Sequence, residues 1–444
     1  MKTILVLGAG RSSSSLISFL LQHAQSHEWR VRIGDVSESA VMEKIGSNPH
    51  GEFIPFDITD DVRSERAVQE SDVVISLLPA HFHPRVAQHC LRFGKHLLTA
   101  SYVSAEMSAL HREAFDKGLL FLNECGLDPG IDHMSAMQVI DRIRKSGGNL
   151  YSFESFTGGL IAPETDLSNP WRYKFTWNPR NVVMAGQGTA KYLENGSYKY
   201  IPYQQLFKRT TEVEVAGYGS YDGYANRDSL QYIDTYQLHG IKTMIRGTLR
   251  NKGYCDAWHI LVQLGCCDDT YAMDGVGEMT HKSFISAFVD ESDGFDVQQN
   301  LVRQFNLDPN GEEMKRLKWS GFFTDEPVGL AHGTPARILE HILQKRWKLQ
   351  PEDKDLIVMW HRFAVDVDGK RREIQASLVA RGENATFTAM AKTVGLPLAI
   401  AAKLLLENKI QSRGVVIPTI PEIYEPVLKE LSMLGIELHE KEIP

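Results

Sequence analysis

Two stretches of this chain carry residues typed and spaced for nucleotide and acid–base chemistry. The first is Gly8-Ala9-Gly10-Arg11-Ser12-Ser13, entered from the apolar run Thr3–Leu7 and followed by an apolar helical pattern. Gly8 permits a tight turn, Gly10 lets backbone approach a pyrophosphate, and the helix start offers unpaired N–H groups. Ser13 stands where a third glycine is usual and is small enough for close helix–strand packing. Asp35 follows 22 residues after Ser13, at the end of a second strand pattern. A carboxylate there meets ribose hydroxyls. Strand, glycine turn, helix and acid together predict dinucleotide binding.

The second stretch is GLDPGIDHM, with Ser101-Tyr102 upstream. Two compatible readings of Asp128 stand: a helix cap with Pro129 at the first helical position, or a carboxylate facing substrate. Asp132 and His133 suit a structural or a catalytic role equally. The Tyr102 hydroxyl could pack or bond a substrate carboxylate. Arg227, in YANRDSLQY, offers a planar fork to a carboxylate or decorates a solvated turn. Lys174 and Arg180, among the aromatics of YKFTWNPRNV, could line a pocket for an anion or lie on a surface. His81 and His83 are spaced i, i+2 among prolines, which suits no metal, and LLPAHFHP is read as shaping a nicotinamide pocket.

The elements that must position these residues alternate. Strands are expected at Thr3–Leu7, Arg30–Asp35, Glu52–Asp57, Val73–Leu77, His96–Thr99 and Leu120–Glu124, with helices starting near Ser13, Ser39, Asp61, Pro84 and Ser104. Such alternation predicts an α/β fold with a Rossmann-type doubly wound parallel sheet. Ligands bind beyond the carboxyl ends of its strands, so Asp57, Ile58, Leu78 and Pro79 join Gly8, Gly10, Arg11, Ser12, Ser13 and Asp35 as cofactor-side candidates. From about Tyr151 the pattern turns to short strands dense in aromatics. Between about Arg250 and Leu349 it is helical. Asp355–Asp368 and Arg372–Arg381 then alternate as strands around an Asp-Gly turn, before closing helices.

Composition bounds the function. With 48 Lys and Arg against 56 Asp and Glu the net charge is −8, which argues against a nucleic-acid partner. No apolar run suggests a membrane span, and no secretory pattern opens the chain. The five cysteines, Cys90, Cys125, Cys255, Cys266 and Cys267, form neither a disulfide framework nor a metal motif. The expectation is a cytoplasmic protein without a metal, acting on a small molecule.

GLDPGIDHM, FTGGLIAPE, NPWRYKFTWNPRNV, YANRDSLQY, MIRGTLR, TAMAKTVGLP and RGVVIP, in this order, resemble glutamate-forming saccharopine dehydrogenases, also called saccharopine reductases. The resemblance implies a dinucleotide domain (1–128 and 393–444), a mixed α/β substrate domain (129–249 and 350–392) and an all-helical insertion (250–349). It implies reversible oxidation of saccharopine to L-glutamate and 2-aminoadipate 6-semialdehyde in lysine metabolism, with a homodimer possible. Asp128 and Tyr102 then match the catalytic positions. Ser101, Thr157, Lys174 and Arg227 fall on the substrate side. Two departures matter. Thr157 replaces a cysteine common in relatives, which removes a thiol. Asp35 stands where NADPH-using fungal relatives carry a basic residue nearby, and a carboxylate repels a 2′-phosphate. NAD is therefore expected as cofactor, with NADP possible. The alternatives are a carboxynorspermidine- or homospermidine-type reductive amination enzyme, whose pocket should be acidic, and a nucleotide-sensing protein without chemistry.

Overall fold

Ile4, Leu5, Val6 and Leu7 are all fully buried, as expected of a strand covered on both faces. They belong to β1 (Lys2–Leu7), followed by β2 (Trp29–Asp35), β3 (Gly51–Pro55), β4 (Val73–Ser76), β5 (His96–Thr99) and β6 (Leu120–Leu122). The computed structural model describes residues 1–291 and 294–443. β1 pairs in parallel with β2 on one side and β4 on the other. The sheet order is β3-β2-β1-β4-β5-β6, and a late strand, Gly414–Val416, adds in parallel beyond β6. The order reverses beside β1, so the turn after β1 opens at the switch point where doubly wound sheets bind ligands.

The strand ends differ slightly from expectation, for local reasons. The third strand stops at Pro55 because the Asp57 carboxylate accepts the Thr59 N–H and hydroxyl, at 2.8 and 2.7 Å, and bends the chain. The sixth stops at Leu122 because Glu124 takes a left-handed backbone, with φ of 54°.

Two compact units divide the chain: 1–149 with 365–371 and 378–441, and 150–364 with 372–377 and 442–444. In the first, the helix Ala389–Leu406 packs on the helix Ser14–His27. A Cβ at Gly395 would come within 3.0 Å of Leu16, so a small residue is needed at that crossing. Ala389–Leu406 is long and apolar enough to cross a membrane, a run not expected from the sequence, but it is mostly buried as a core helix.

The second unit centres on a mixed sheet in the order Thr210–Val215, Gly219–Ala225, Thr243–Asn251, Asn149–Ile161 and Asp355–Val367. The first two pairings are antiparallel and that of Thr243–Asn251 with Asn149–Ile161 is parallel. The aromatic density of the sequence becomes a buried cluster. Trp347 packs edge-on against Trp171, Tyr173 and Phe175, with centroids 5.0 to 5.3 Å apart. The helices Tyr254–Leu264 and Pro335–Trp347 share this core with Trp171, Tyr224 and Phe207.

Gly247 lies in the middle of Thr243–Asn251, beneath the Phe156 ring, where a Cβ would overlap both that ring and the Tyr224 carbonyl oxygen. Gly247→Ala should destabilise the protein by about 1–3 kcal/mol, the usual cost of overpacking. The urea midpoint tests this, and a wild-type midpoint would contradict it.

Candidate active site

The glycine turn is built by close approach. Gly8 has φ of 98°, its N–H donates to the Gly34 carbonyl at 2.8 Å, and a Cβ there would sit 3.2 Å from the Leu77 carbonyl oxygen. At Gly10 a Cβ would meet nothing within 4 Å, so the face above the turn is open. Arg11–Ser13 form a single 3-10 turn leading into Ser14–His27, a helix whose N-terminus has no side-chain cap. No side chain therefore competes with an anion at this helix start. Ser13 is buried, and its hydroxyl donates to the Gly10 carbonyl at 2.8 Å, bracing the turn. The Asp35 carboxylate accepts the Ala9 N–H at 2.7 Å and the Ser37 N–H at 2.9 Å, tying the first turn to the second. Open backbone at Gly10, an uncapped helix start and this carboxylate fit a nicotinamide dinucleotide.

At the neighbouring strand ends Asp57 is exposed and Ile58 buried. The Thr59 hydroxyl and N–H hold the Asp57 carboxyl below its ordinary pKa. Leu78 and Pro79 follow β4 and lead to Ala80–Phe82. His83 emerges here with a defined job. Its Nδ1 lies 3.0 Å from the Ser76 hydroxyl, and its Nε2 lies 2.8 Å from that of Ser101 and 3.1 Å from that of Thr99. Burial, aided by His81, pushes its pKa down to about 4, so the imidazole is neutral at neutral pH.

Ser101 and Tyr102 follow β5, and the Tyr102 hydroxyl donates to Asp128 Oδ1 at 3.3 Å. A phenol and a carboxylate thus meet at the carboxyl edge of the sheet. Pro129 follows Asp128 through a cis peptide bond. The helix Ile131–Lys145 starts after Gly130 without a side-chain cap hydrogen bond, so Asp128 does not cap it. Asp132 instead accepts the Gly130 N–H at 2.6 Å.

In the second unit, Thr157 pairs in register with Thr248, and its buried hydroxyl has no hydrogen-bond partner. Arg250 lies two residues beyond Thr248 on the same strand face, buried, with its guanidinium 5.1 Å from the Tyr173 ring and 5.2 Å from that of Tyr254. It donates to the Leu249 carbonyl at 3.2 Å, its Nε is unpaired, and no carboxylate among the described residues reaches it. A permanent charge so placed calls for an anion. Sequence reasoning missed Arg250; the signal was arginine at i and i+4, Arg246 and Arg250, on one face of a mostly buried strand.

Arg227 is exposed, in a left-handed backbone conformation with φ of 45°. Its carbonyl accepts the Lys191 N–H at 2.8 Å. Lys174 differs from the expected role. Its buried ammonium lies 2.7 Å from Asp353 and 2.9 Å from Asp166. Burial alone would lower its pKa, but the two carboxylates more than offset this and hold it above its ordinary value. Its charge is spent inside the protein. Arg180 likewise pairs with Asp269. The five cysteines are free and buried, and among the described residues no cluster of His, Cys, Asp or Glu could hold a metal.

Family models and known proteins match this chain along its length. The family described as saccharopine dehydrogenase NADP binding domain matches residues 4–122, and that described as saccharopine dehydrogenase C-terminal domain matches residues 126–436. The chain is 32% identical to saccharopine dehydrogenase [NADP(+), L-glutamate-forming] of Schizosaccharomyces pombe, over 99% of both chains. It is 33% identical to the mitochondrial alpha-aminoadipic semialdehyde synthase of Mus musculus, over 98% of this chain and 47% of that one. The structure superposes on apo saccharopine dehydrogenase (L-Glu forming) of Saccharomyces cerevisiae with a TM-score of 0.89 and 30% identity, covering 100% of both chains. The chain belongs to the saccharopine dehydrogenase family.

Proposed function

We propose that this protein oxidises saccharopine, reversibly, to L-glutamate and 2-aminoadipate 6-semialdehyde with a nicotinamide dinucleotide, within lysine metabolism. The observation that carries the reading is the Tyr102–Asp128 pair, 3.3 Å apart at the carboxyl edge of the dinucleotide sheet, in a chain that matches the family over its whole length.

Saccharopine is a secondary amine with three carboxylates. Hydride leaves the carbon beside nitrogen only when that nitrogen is neutral, so a proton is removed first. Asp128 accepts or orients that proton, with the Tyr102 hydroxyl fixing the carboxylate's direction. The bound nicotinamide supplies the hydride acceptor. Water then adds to the substrate's imine carbon, and the carbinolamine breaks its C–N bond to release glutamate and the aldehyde. Asp128 shuttles protons in both steps. Ser101, held by neutral His83, donates to a substrate oxygen. Within the second unit, Arg227 and Arg250 offer charge to carboxylates, and the Thr157 hydroxyl, unpaired in the structure, offers a further bond. Holding several anionic groups fixes the reacting carbon, and orientation supplies much of the rate. Lys174 has no part in this ligand set, because its ammonium is already neutralised.

NAD is the preferred cofactor in this reading, although the matched fungal relatives are named for NADP(+). The support is Asp35, whose carboxylate is held by the Ala9 and Ser37 N–H groups at the end of the second strand, where it would accept from ribose hydroxyls and repel a 2′-phosphate.

Two outcomes follow. Asp128→Asn should lower kcat about 10²–10⁴-fold, the usual worth of a positioned acid or base, with the Kd for NAD unchanged; near-normal turnover would remove Asp128 from the chemistry. Wild-type protein should favour NAD over NADP in kcat/KM, and Asp35→Ser should narrow that ratio at least about tenfold, a 1.4 kcal/mol change. A ratio unmoved by Asp35→Ser would show that specificity lies elsewhere.

A further inference from the structure

Glu124 is buried, and two bonds of its carboxylate and one of its main-chain N–H together surround the segment that carries Tyr102. Its N–H donates to the Ser101 carbonyl at 3.0 Å, and its Oε1 accepts the Val103 N–H at 3.0 Å. The residues on both sides of Tyr102 are therefore gripped by one side chain and its own backbone. Its Oε2 pairs with His133 Nε2 at 2.8 Å. His133 is fully buried on the helix Ile131–Lys145, five residues after Asp128. The left-handed backbone of Glu124, with φ of 54°, ends β6 and turns its side chain back across these partners.

A charged carboxylate is costly to bury unless paired and hydrogen-bonded. Glu124 is only 7% exposed, and among the described residues its partners belong to the two segments that hold the phenol and the carboxylate. The loop between Glu124 and His133 is closed by the Ile131 N–H donating to the Gly126 carbonyl at 2.8 Å and by the Cys125 N–H donating to the Thr99 carbonyl at 3.2 Å. That loop is anchored on both sides, and Tyr102 is anchored to it through Glu124.

We infer that Glu124, braced by His133, is a positioning residue that sets the separation and direction of the Tyr102 hydroxyl relative to Asp128. It touches neither reacting atoms nor cofactor in this assignment and acts through Tyr102. The inference rests on the roles given above to Tyr102 and Asp128. The Tyr102–Asp128 bond is long at 3.3 Å, so small movements of the Tyr102 segment would break it, and misplacement by about 1 Å costs on the order of 10²-fold in rate.

The test is a double-mutant cycle on the full-length protein, reading kcat for saccharopine and Kd for NAD. Glu124→Ala should lower kcat about 10²-fold and leave the Kd for NAD within about twofold. Glu124→Gln, which keeps an oxygen acceptor for the Val103 N–H, should recover most of that loss. In a Tyr102→Phe background, Glu124→Ala should cost less than about threefold more, because coupled residues do not add. Should Glu124→Ala fail to fold, Glu124→Asp, which draws the carboxylate back from Val103, enters the same cycle with the same expectation. Losses that multiply in full, or a fall in NAD affinity matching the fall in kcat, would overturn the inference. Wild-type turnover of Tyr102→Phe would overturn the catalytic reading of Tyr102 and this inference with it, whereas an impaired Tyr102→Phe with additive Glu124 effects would overturn this inference alone.

Discussion

The first unit depends on a close approach of backbone at the end of β1. Gly8 donates to Gly34 and lies against the Leu77 carbonyl, so β1, β2 and β4 converge there with no room for a side chain. Everything on the nucleotide side follows from this. The turn can leave the sheet sharply, the helix Ser14–His27 starts at its edge, and the Asp35 carboxylate reaches back to the Ala9 N–H. The same sheet edge delivers Ser76, Thr99 and Ser101 to His83, and Tyr102 to Asp128.

The buried charges sort by whether the protein has already answered them. Lys174 is enclosed with Asp353 and Asp166, and Glu124 is enclosed with His133 and a main-chain N–H. Both are complete without a ligand. Arg250 is enclosed by phenol rings with one carbonyl for a partner. Because removing a charge from water costs several kcal/mol unless it is matched, the complete groups read as struts and the incomplete one as a receiver for an anion. This distinction separates two cations that look alike in the sequence.

Much of the first unit was legible in the sequence because a parallel sheet buried on both faces writes itself as short apolar runs, and because turns and helix starts need particular residues. Gly8, Gly10 and Asp35 were visible for that reason, as were Asp128 and Tyr102 once strand ends were located. The second unit was less legible. Its aromatics signalled a core but not its geometry, and nothing in YKFTWNPRNV reveals that Asp353, far along the chain, neutralises Lys174. Arg250 was hidden for the complementary reason: its meaning lies in the carboxylate it lacks. The run Leu120–Glu124 predicts a strand ending at Glu124, whereas the left-handed backbone of Glu124 ends the strand early and leaves its side chain to hold the Val103 N–H beside Tyr102.

In the proposed reaction the protein transfers hydride from saccharopine and splits its C–N bond. Purified protein mixed with saccharopine and NAD, with the reduced-nicotinamide absorbance and released glutamate followed together, is the decisive assay. One glutamate is expected for each nicotinamide reduced. Cofactor binding with no saccharopine-dependent reduction, or reduction without glutamate release, would contradict it.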